Sequence, residues 1–182
     1  MEQNVDGARE LARRMAEVHF SRIDEMPRIE LYLDQVLSIV SDELAFMALP
    51  GEELITGSMV NNYVKQRLVP APAHRRYTRR HVATLLFVCA FKRVFSISEI
   101  KCLYEACVER GIDVAGTYDA LVAALERALA AQFSGVVGKR PAVTLRDAAG
   151  NAVAPDLDRI MSAGVEAVAD KVFVEQMLAL RR

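Results

Sequence analysis

The chain has 182 residues, 23 Lys and Arg against 24 Asp and Glu, a formal net charge of −1 and 52% hydrophobic residues. A chain of this length can build a core without a disulfide or metal. Its 26% charged and 7% aromatic residues exclude a disordered tail protein. A net charge so close to zero at first argues against a nucleic-acid partner, although binding depends on local patches.

No targeting segment, membrane span or site chemistry stands out. The start of the chain is charged and amphipathic, and the longest apolar run, Val82 to Phe91, is too short to span a membrane. Cys89, Cys102 and Cys107 lack paired spacing, so we expect reduced, buried thiols. The sequence therefore predicts a cytoplasmic protein that is not an enzyme and has no catalytic residue, metal or cofactor.

Helical periodicity dominates the first third of the chain. Leu11, Met15 and Val18 indicate a short first helix. Pro27 precedes, and Pro50-Gly51 ends, a longer predicted helix. Its apolar stripe consists of Ile29, Leu33, Val36, Val40, Leu44 and Met47.

Three further helix starts are marked by capping residues. Thr56 or Ser58 begins a short helix, and Thr78 begins another after the Pro70-Ala71-Pro72 segment. Ser96 with Glu99 has capping-box spacing and predicts a helix that ends at Gly111.

Beyond Gly111 the sequence predicts two more helices around a Gly- and Pro-rich stretch. Val122, Leu125, Leu129 and Phe133 mark the first, and a stripe from Met161 to Leu180 marks the last. Between them, 142–146 and 151–153 can flank a hairpin. We divide the chain into an N-terminal helix (1–26), a central domain (27–112) and a helical C-terminal region (113–182).

The apolar stripes of that C-terminal region bear on oligomeric state. They offer more apolar surface than one small domain buries, which favours a homodimer. A larger monomeric core is the alternative.

Charge is strongly segregated along the chain. Leu54 to Cys102 contains nine basic residues and one acid, Glu99, a charge of +8. The rest contains 14 basic and 23 acidic residues, a charge of −9. The basic residues are interleaved with Asn, His and Tyr, which bond phosphates and base edges. The segment therefore predicts polyanion binding, with a solvated basic face as the alternative.

Four short pieces of this segment resemble the DNA-binding domain of the MerR family of bacterial transcription regulators. They are Met59-Val60-Asn61-Asn62-Tyr63, Leu68-Val69-Pro70, Arg75-Arg76-Tyr77-Thr78 and Phe95-Ser96-Ile97-Ser98-Glu99-Ile100. They match, in order, a recognition helix, the entry to a wing, its closing residues and the start of the next helix. The resemblance implies a mainly α fold: a MerR-like winged helix-turn-helix with a short β wing and additional C-terminal helices. Arg67 stands where that family has a helix-ending Gly.

The chain is also similar to an uncharacterised bacterial domain-of-unknown-function family. Met-x-Asn-Asn-Tyr-x-Lys, the Pro-x-Pro before Arg-Tyr, and the stretch Pro27 to Val36 carry this resemblance, which covers about residues 27–112.

The candidate DNA-binding residues lie on the predicted recognition helix (about 57–67), on the wing (about 70–77) and just after it. They are Ser58, Asn61, Asn62, Tyr63, Lys65, Arg67, Arg75, Arg76, Tyr77, Arg79 and Arg80. Asn and Lys side chains can read base edges.

For several of these residues a structural role is the alternative. Tyr63 is either a phosphate contact or a core residue. Asn62 can bond backbone instead, leaving Lys65 facing solvent, and Arg75 and Arg76 can be freely solvated.

Two functions follow as hypotheses. The first is a homodimeric transcriptional regulator that binds double-stranded DNA. The second is a protein-interaction module on the same scaffold, with an acidic protein partner. The sequence predicts no membrane partner and does not identify a small-molecule effector.

Overall fold

In the computed structural model, which describes residues 2–135 and 142–181, the chain folds into helices joined by short loops. The helices are α1 (Glu2–Ala16), α2 (Leu33–Glu43), α3 (Gly57–Lys65), α4 (Arg79–Phe91), α5 (Ile97–Glu109), α6 (Val114–Ser134) and α7 (Pro155–Ala179), with a short 3₁₀ turn at Ala45–Met47.

α4 is the central helix. It is apolar on nearly every face, and all of its residues from His81 to Phe91 are buried except the half-buried Phe87. α2, α5, α6 and α7 pack against it, while α6 also packs along α1 and α7. α3 contacts α2 at the edge of this assembly.

One core cluster contains side chains from all three segments that the sequence suggested. Leu11, Val40 and Val165 all belong to it. In the segment before α2, Arg22 donates to Glu126 of α6 at 2.5 Å and the N–H of Phe20 donates to the same carboxylate at 2.8 Å. The N-terminal segment is therefore tied directly to the C-terminal helices.

The apolar stripes of α6 and α7 are mostly buried within the chain, although Leu180 at the end of the second is 36% exposed. Leu125 and Leu129 of α6 are at most 2% exposed, and Val165 and Val168 of α7 are 0% exposed. The larger-core alternative therefore describes these stripes, and they no longer support a dimer interface.

The predicted long helix begins later than its stripe suggested. Ile29 is 70% exposed and precedes α2, which begins at Leu33. The chain from 28 to 32 stays out of the helix because Leu31 bonds the backbone of Tyr77: its N–H donates to the Tyr77 carbonyl at 2.8 Å, and the Tyr77 N–H donates back at 2.9 Å.

The predicted capping residues are confirmed. The Thr56 hydroxyl accepts the N–H of Met59 at 3.2 Å, and the Glu99 carboxylate accepts the N–H of Ser96 at 2.7 Å. Thr78 precedes α4, and α5 ends just before Gly111, whose φ of 65° is the left-handed conformation that favours glycine.

The prediction of a winged helix with a β wing is wrong. Residues 2–135 and 142–181 contain no β-strand, only isolated bridges. Pro70 and Pro72 lack N–H donors, which disfavours a β ladder along that side of the loop. Tyr77 instead pairs with Leu31, and Ala73 bridges Arg76 across a tight turn. The mainly α part of the prediction is consistent with the structure.

The predicted hairpin before α7 is reduced to one bridge, Arg146 with Ala152. The Asp147 carboxylate closes its turn by accepting the N–H groups of Ala149 and Asn151 at 2.9 and 2.8 Å. The remainder of the Gly- and Pro-rich stretch, 136–141, lies outside the described residues. Among the helices described, none is both long and apolar enough to cross a membrane.

Candidate functional site

α3 presents a polar stripe to solvent. Ser58, Asn61, Asn62 and Lys65 are all exposed and are spaced at i, i+3, i+4 and i+7, so they lie on one face. Val60, on the other side of the helix, is 0% exposed. Because both asparagines are exposed, their amide groups are available to a partner.

Two aromatic candidates belong to the core. Tyr63 and Tyr77 are 3% and 5% exposed, and burial raises the pKa of Tyr63 to about 12. For Tyr63 this is the core alternative that the sequence left open. Side chains so enclosed cannot lie along a polyanion, so we exclude both from the candidate surface.

Arg67 ends α3 in the conformation that glycine usually takes. Its φ is 60°. The N–H of Arg67 donates to the Val64 carbonyl at 3.0 Å, and the N–H of Leu68 donates to the Tyr63 carbonyl at 3.0 Å. This pair of bonds is a Schellman motif. An exposed arginine thus adopts here the left-handed backbone geometry that usually requires glycine.

The basic loop, residues 70–77, turns at His74 and Arg75. Their φ angles are 48° and 60°, and the N–H of Arg76 donates to the Ala73 carbonyl at 2.8 Å, which is the pattern of a type I′ turn. Both side chains are exposed. Such a turn normally contains Asn or Gly, so a basic pair at its tip is unusual.

His81 holds the loop against α4. Its Nδ1 accepts the N–H of Thr78 at 3.0 Å, and its ring makes an edge contact with Tyr77, with centroids 5.5 Å apart. Burial lowers the pKa of His81, which keeps the ring neutral and Nδ1 able to accept.

Four of the nine basic residues between Leu54 and Cys102 are used inside the fold. Arg79 pairs with Asp24 at 3.2 Å, and Lys92 donates to the Leu54 carbonyl at 2.6 Å. Arg93 is bound by two carboxylates, and Lys101 lies 3.7 Å from Glu105. Arg79 is therefore a weaker candidate for a partner contact than the sequence suggested.

The other five basic residues make no ion pair within residues 2–135 and 142–181. They are Lys65, Arg67, Arg75, Arg76 and Arg80. All are exposed except the half-buried Arg76, whose guanidinium carbon lies 3.6 Å from the centroid of the Tyr32 ring. These five and the polar stripe of α3 form the candidate surface.

Sequence reasoning missed Tyr32, which it placed inside a helix. No local signal in the sequence pointed to it, because its position outside the helix depends on the pairing of Leu31 with the distant Tyr77. Of the predicted buried cysteines, Cys89 and Cys107 are buried but Cys102 is exposed.

Other parts of the molecule offer less chemistry. Within the described residues, no group of three or more His, Cys, Asp or Glu side chains is arranged to hold a metal. A cavity of about 50 Å³ lies between α4, α5, α6 and α7, lined by residues such as Phe87, Cys107 and Met161. Small-molecule sites usually measure roughly 300–1,000 Å³, so this cavity is too small for one, whereas an open groove of about 520 Å³ lined by Val18, Glu43 and Phe46 lies in that range.

Comparison with known proteins supports only one of the two resemblances. No curated protein and no solved structure matches the chain, and nothing found supports a relation to MerR regulators. A family described as a domain of unknown function, DUF1836, matches residues 21–121. That range includes α2 to α5 and every residue of the candidate surface, and it confirms the similarity to an uncharacterised domain family. Since the match covers more than half of the sequence, the chain belongs to the DUF1836 family.

Proposed function

We propose that this protein binds double-stranded DNA and acts as a transcriptional regulator, through the polar face of α3 and the basic residues around it. The observation that carries the proposal is the concentration of cations without an ion pair, among the described residues, in one short stretch of the chain. Lys65, Arg67, Arg75, Arg76 and Arg80 lie within a short stretch that contains no acidic residue. The chain outside Leu54 to Cys102 carries a charge of −9, which disfavours approach of a polyanion elsewhere.

The residue types suit the two parts of DNA recognition. An α-helix fits the major groove, where Asn bonds adenine bidentately and Lys contacts guanine. Asn61, Asn62 and Lys65 on α3 are therefore the proposed base contacts. Arg75 and Arg76 of the basic loop would bind phosphates, which supplies affinity and fixes orientation.

The test is fluorescence anisotropy with a labelled duplex of mixed sequence over a range of salt concentrations. The double variant Arg75→Ala/Arg76→Ala should weaken binding to all sequences and reduce the slope of log affinity against log salt by about 2. The matched control is Arg13→Ala/Arg14→Ala on α1, which removes the same charge from an exposed surface outside the segment. Equal effects from both double variants would refute the proposed surface.

A selection from random duplexes then tests sequence specificity. Asn61→Ala should change the enriched sequence while leaving the salt slope close to that of the wild type, because an amide contact to a base releases no counterions. A selection that enriches nothing at moderate salt would contradict a specific regulator.

An acidic protein partner is the second candidate. Ile29 is 70% exposed next to the bridged residues at the foot of the basic loop, and apolar side chains of this kind are buried in protein interfaces. This candidate predicts that the nuclease-treated protein retains an acidic partner that Arg75→Ala/Arg76→Ala releases, and that it shows no salt-dependent affinity for duplex DNA.

We also propose that the DNA-bound form is a homodimer, since two copies would double the footprint on DNA. Support comes from Val174 and Leu178 of α7, which are 49% and 51% exposed and lie one turn apart. Light scattering of the free and DNA-bound protein measures the mass, and a 1:1 complex at saturation would contradict a dimer.

A further inference from the structure

Tyr32 and Arg76 face each other across the bridge at the foot of the basic loop. Leu31 and Tyr77 exchange both of their backbone hydrogen bonds, at 2.8 and 2.9 Å. In an antiparallel pair the next residue of one strand is opposite the previous residue of the other, and side chains alternate between faces. Leu31 and Tyr77 point into the core, so Tyr32 and Arg76 lie on the outer face.

The contact between them is a cation–π pair. The Arg76 guanidinium carbon lies 3.6 Å from the centroid of the Tyr32 ring, well inside the range of about 6 Å for this interaction. The Tyr32 ring is 52% exposed, so the pair lies at the surface. The backbone of Tyr32 is held to the start of α2, because its N–H donates to Gln35 Oε1 at 2.9 Å.

This arrangement leaves the hydrogen-bond donors of Arg76 available. An arginine held by a carboxylate, such as Arg93 with Glu52, uses its N–H groups in the pair. An arginine held by a ring face keeps its N–H groups in the guanidinium plane. Glu30 and Asp34 flank Tyr32 in the sequence, but neither forms an ion pair with Arg76.

We propose that Tyr32 is a positioning residue that holds Arg76 ready to bind a DNA phosphate with its guanidinium edge. The inference rests on the proposed DNA binding. A long side chain loses rotamer freedom when it binds, and one already held in place loses less. Arg75, at the tip of the same turn, is exposed and has no such ring contact among the described residues.

The test is a double-mutant cycle in duplex affinity, with Tyr32→Leu, Tyr32→Phe and Arg76→Ala. Tyr32→Leu keeps apolar surface but removes the ring, so it should weaken binding by about two- to five-fold. Tyr32→Phe keeps the ring and should bind like the wild type. In the Arg76→Ala background Tyr32→Leu should have no further effect.

The salt slope gives a second reading that a merely structural role would not reproduce. Arg76→Ala removes a phosphate contact and should reduce the slope by about 1. Tyr32→Leu leaves the charge in place, so its slope should match the wild type. Thermal unfolding confirms that each variant is folded, and Tyr32→Gln replaces Tyr32→Leu if the latter does not fold.

Three results would overturn the inference. If the wild type shows no salt-dependent affinity for duplex DNA, the proposed function fails and the positioning role with it. If the wild type binds duplex DNA but Tyr32→Leu lowers the affinity equally in the wild-type and Arg76→Ala backgrounds, the proposed DNA binding holds and the positioning role fails. The positioning role also fails if Tyr32→Phe loses as much affinity as Tyr32→Leu.

Discussion

Arg93 donates through Nη1 to the carboxylate of Glu175 on α7, at 2.5 Å. Its Nη2 donates to Glu52 at 2.6 Å and to the Met47 carbonyl at 2.8 Å, and the side chain is only 7% exposed. One basic residue of the segment that first suggested DNA binding therefore joins three parts of the fold. Charge counted along a sequence does not separate such residues from those that face a partner.

We predict that Arg93→Ala lowers the free energy of unfolding by about 1–3 kcal/mol, because Glu52, Glu175 and the Met47 carbonyl each lose a donor while Lys171 still pairs with Glu175. Urea unfolding followed by circular dichroism measures it. The control is Arg80→Ala, which removes an exposed arginine without an ion pair among the described residues and should stay within about 0.5 kcal/mol of the wild type. Equal stability of the two variants would show that the Arg93 contacts contribute nothing.

Arg75→Gly should have opposite effects on stability and on binding. With a φ of 60°, Arg75 adopts a left-handed conformation that costs a non-glycine residue about 1 kcal/mol, so glycine should raise the free energy of unfolding by up to that amount. Duplex affinity should fall because a cation is lost. Arg76→Gly is the control, since Arg76 is not in the left-handed region and its replacement should not stabilise the fold. A less stable Arg75→Gly would show that the turn holds no strain.

His81 makes stability depend on pH near neutrality. Burial lowers its pKa from the usual 6.5, so below about pH 6.5 the unfolded chain binds more protons than the folded chain. The free energy of unfolding should therefore fall as the pH falls from 7 towards 5, a range in which carboxylates stay largely ionised. His81→Gln can still accept the Thr78 N–H as a capping-box residue and should reduce this slope.

The control for this measurement is His74→Asn, which replaces an exposed histidine by a residue that tolerates its φ of 48°. It should retain the slope of the wild type in urea unfolding at several pH values. Identical slopes for His81→Gln and the wild type would rule out His81 as the cause.

Gly164 allows α7 to approach α4 closely. A Cβ added there would lie 2.9 Å from Phe91 Cε1 and 3.2 Å from Phe95 Cε2. These two rings stack with centroids 5.8 Å apart, so neither can move away freely. Gly164→Ala should lower the free energy of unfolding by about 1–3 kcal/mol. Ala163→Gly, at the exposed neighbouring position, should cost only about 1 kcal/mol, and a larger loss there than at Gly164 would contradict this close approach.

Local signals in the sequence were sufficient for three of the helix starts, although not for that of α2. Thr56, Thr78 and Ser96 all precede helices, because capping depends on a few neighbouring atoms. The pairing of residues far apart in the chain could not be predicted from the sequence. Leu31 leaves the predicted helix for a hydrogen-bonded partner at Tyr77, and no period along 29–47 indicates that partner.

The sequence predicted which residues belong to the candidate surface, but their exposure and their ion pairs were known only from the structure. The spacing of Ser58, Asn61, Asn62 and Lys65 already placed them on one helix face. Whether a cation is free or paired depends on residues far along the chain: Arg79 meets Asp24 and Arg93 meets Glu175. The same is true of Tyr32, whose role follows from its distant neighbour Arg76.

The two hydrogen bonds between Leu31 and Tyr77 also have a consequence for the order of folding. They close residues 31 to 77 into a ring that contains α2, α3 and the basic loop. Closing a ring of this size costs chain entropy that only distant contacts recover. We therefore expect the ring to close after the individual helices have formed. The basic residues of the loop are then present in a newly made chain before the loop has reached its folded conformation.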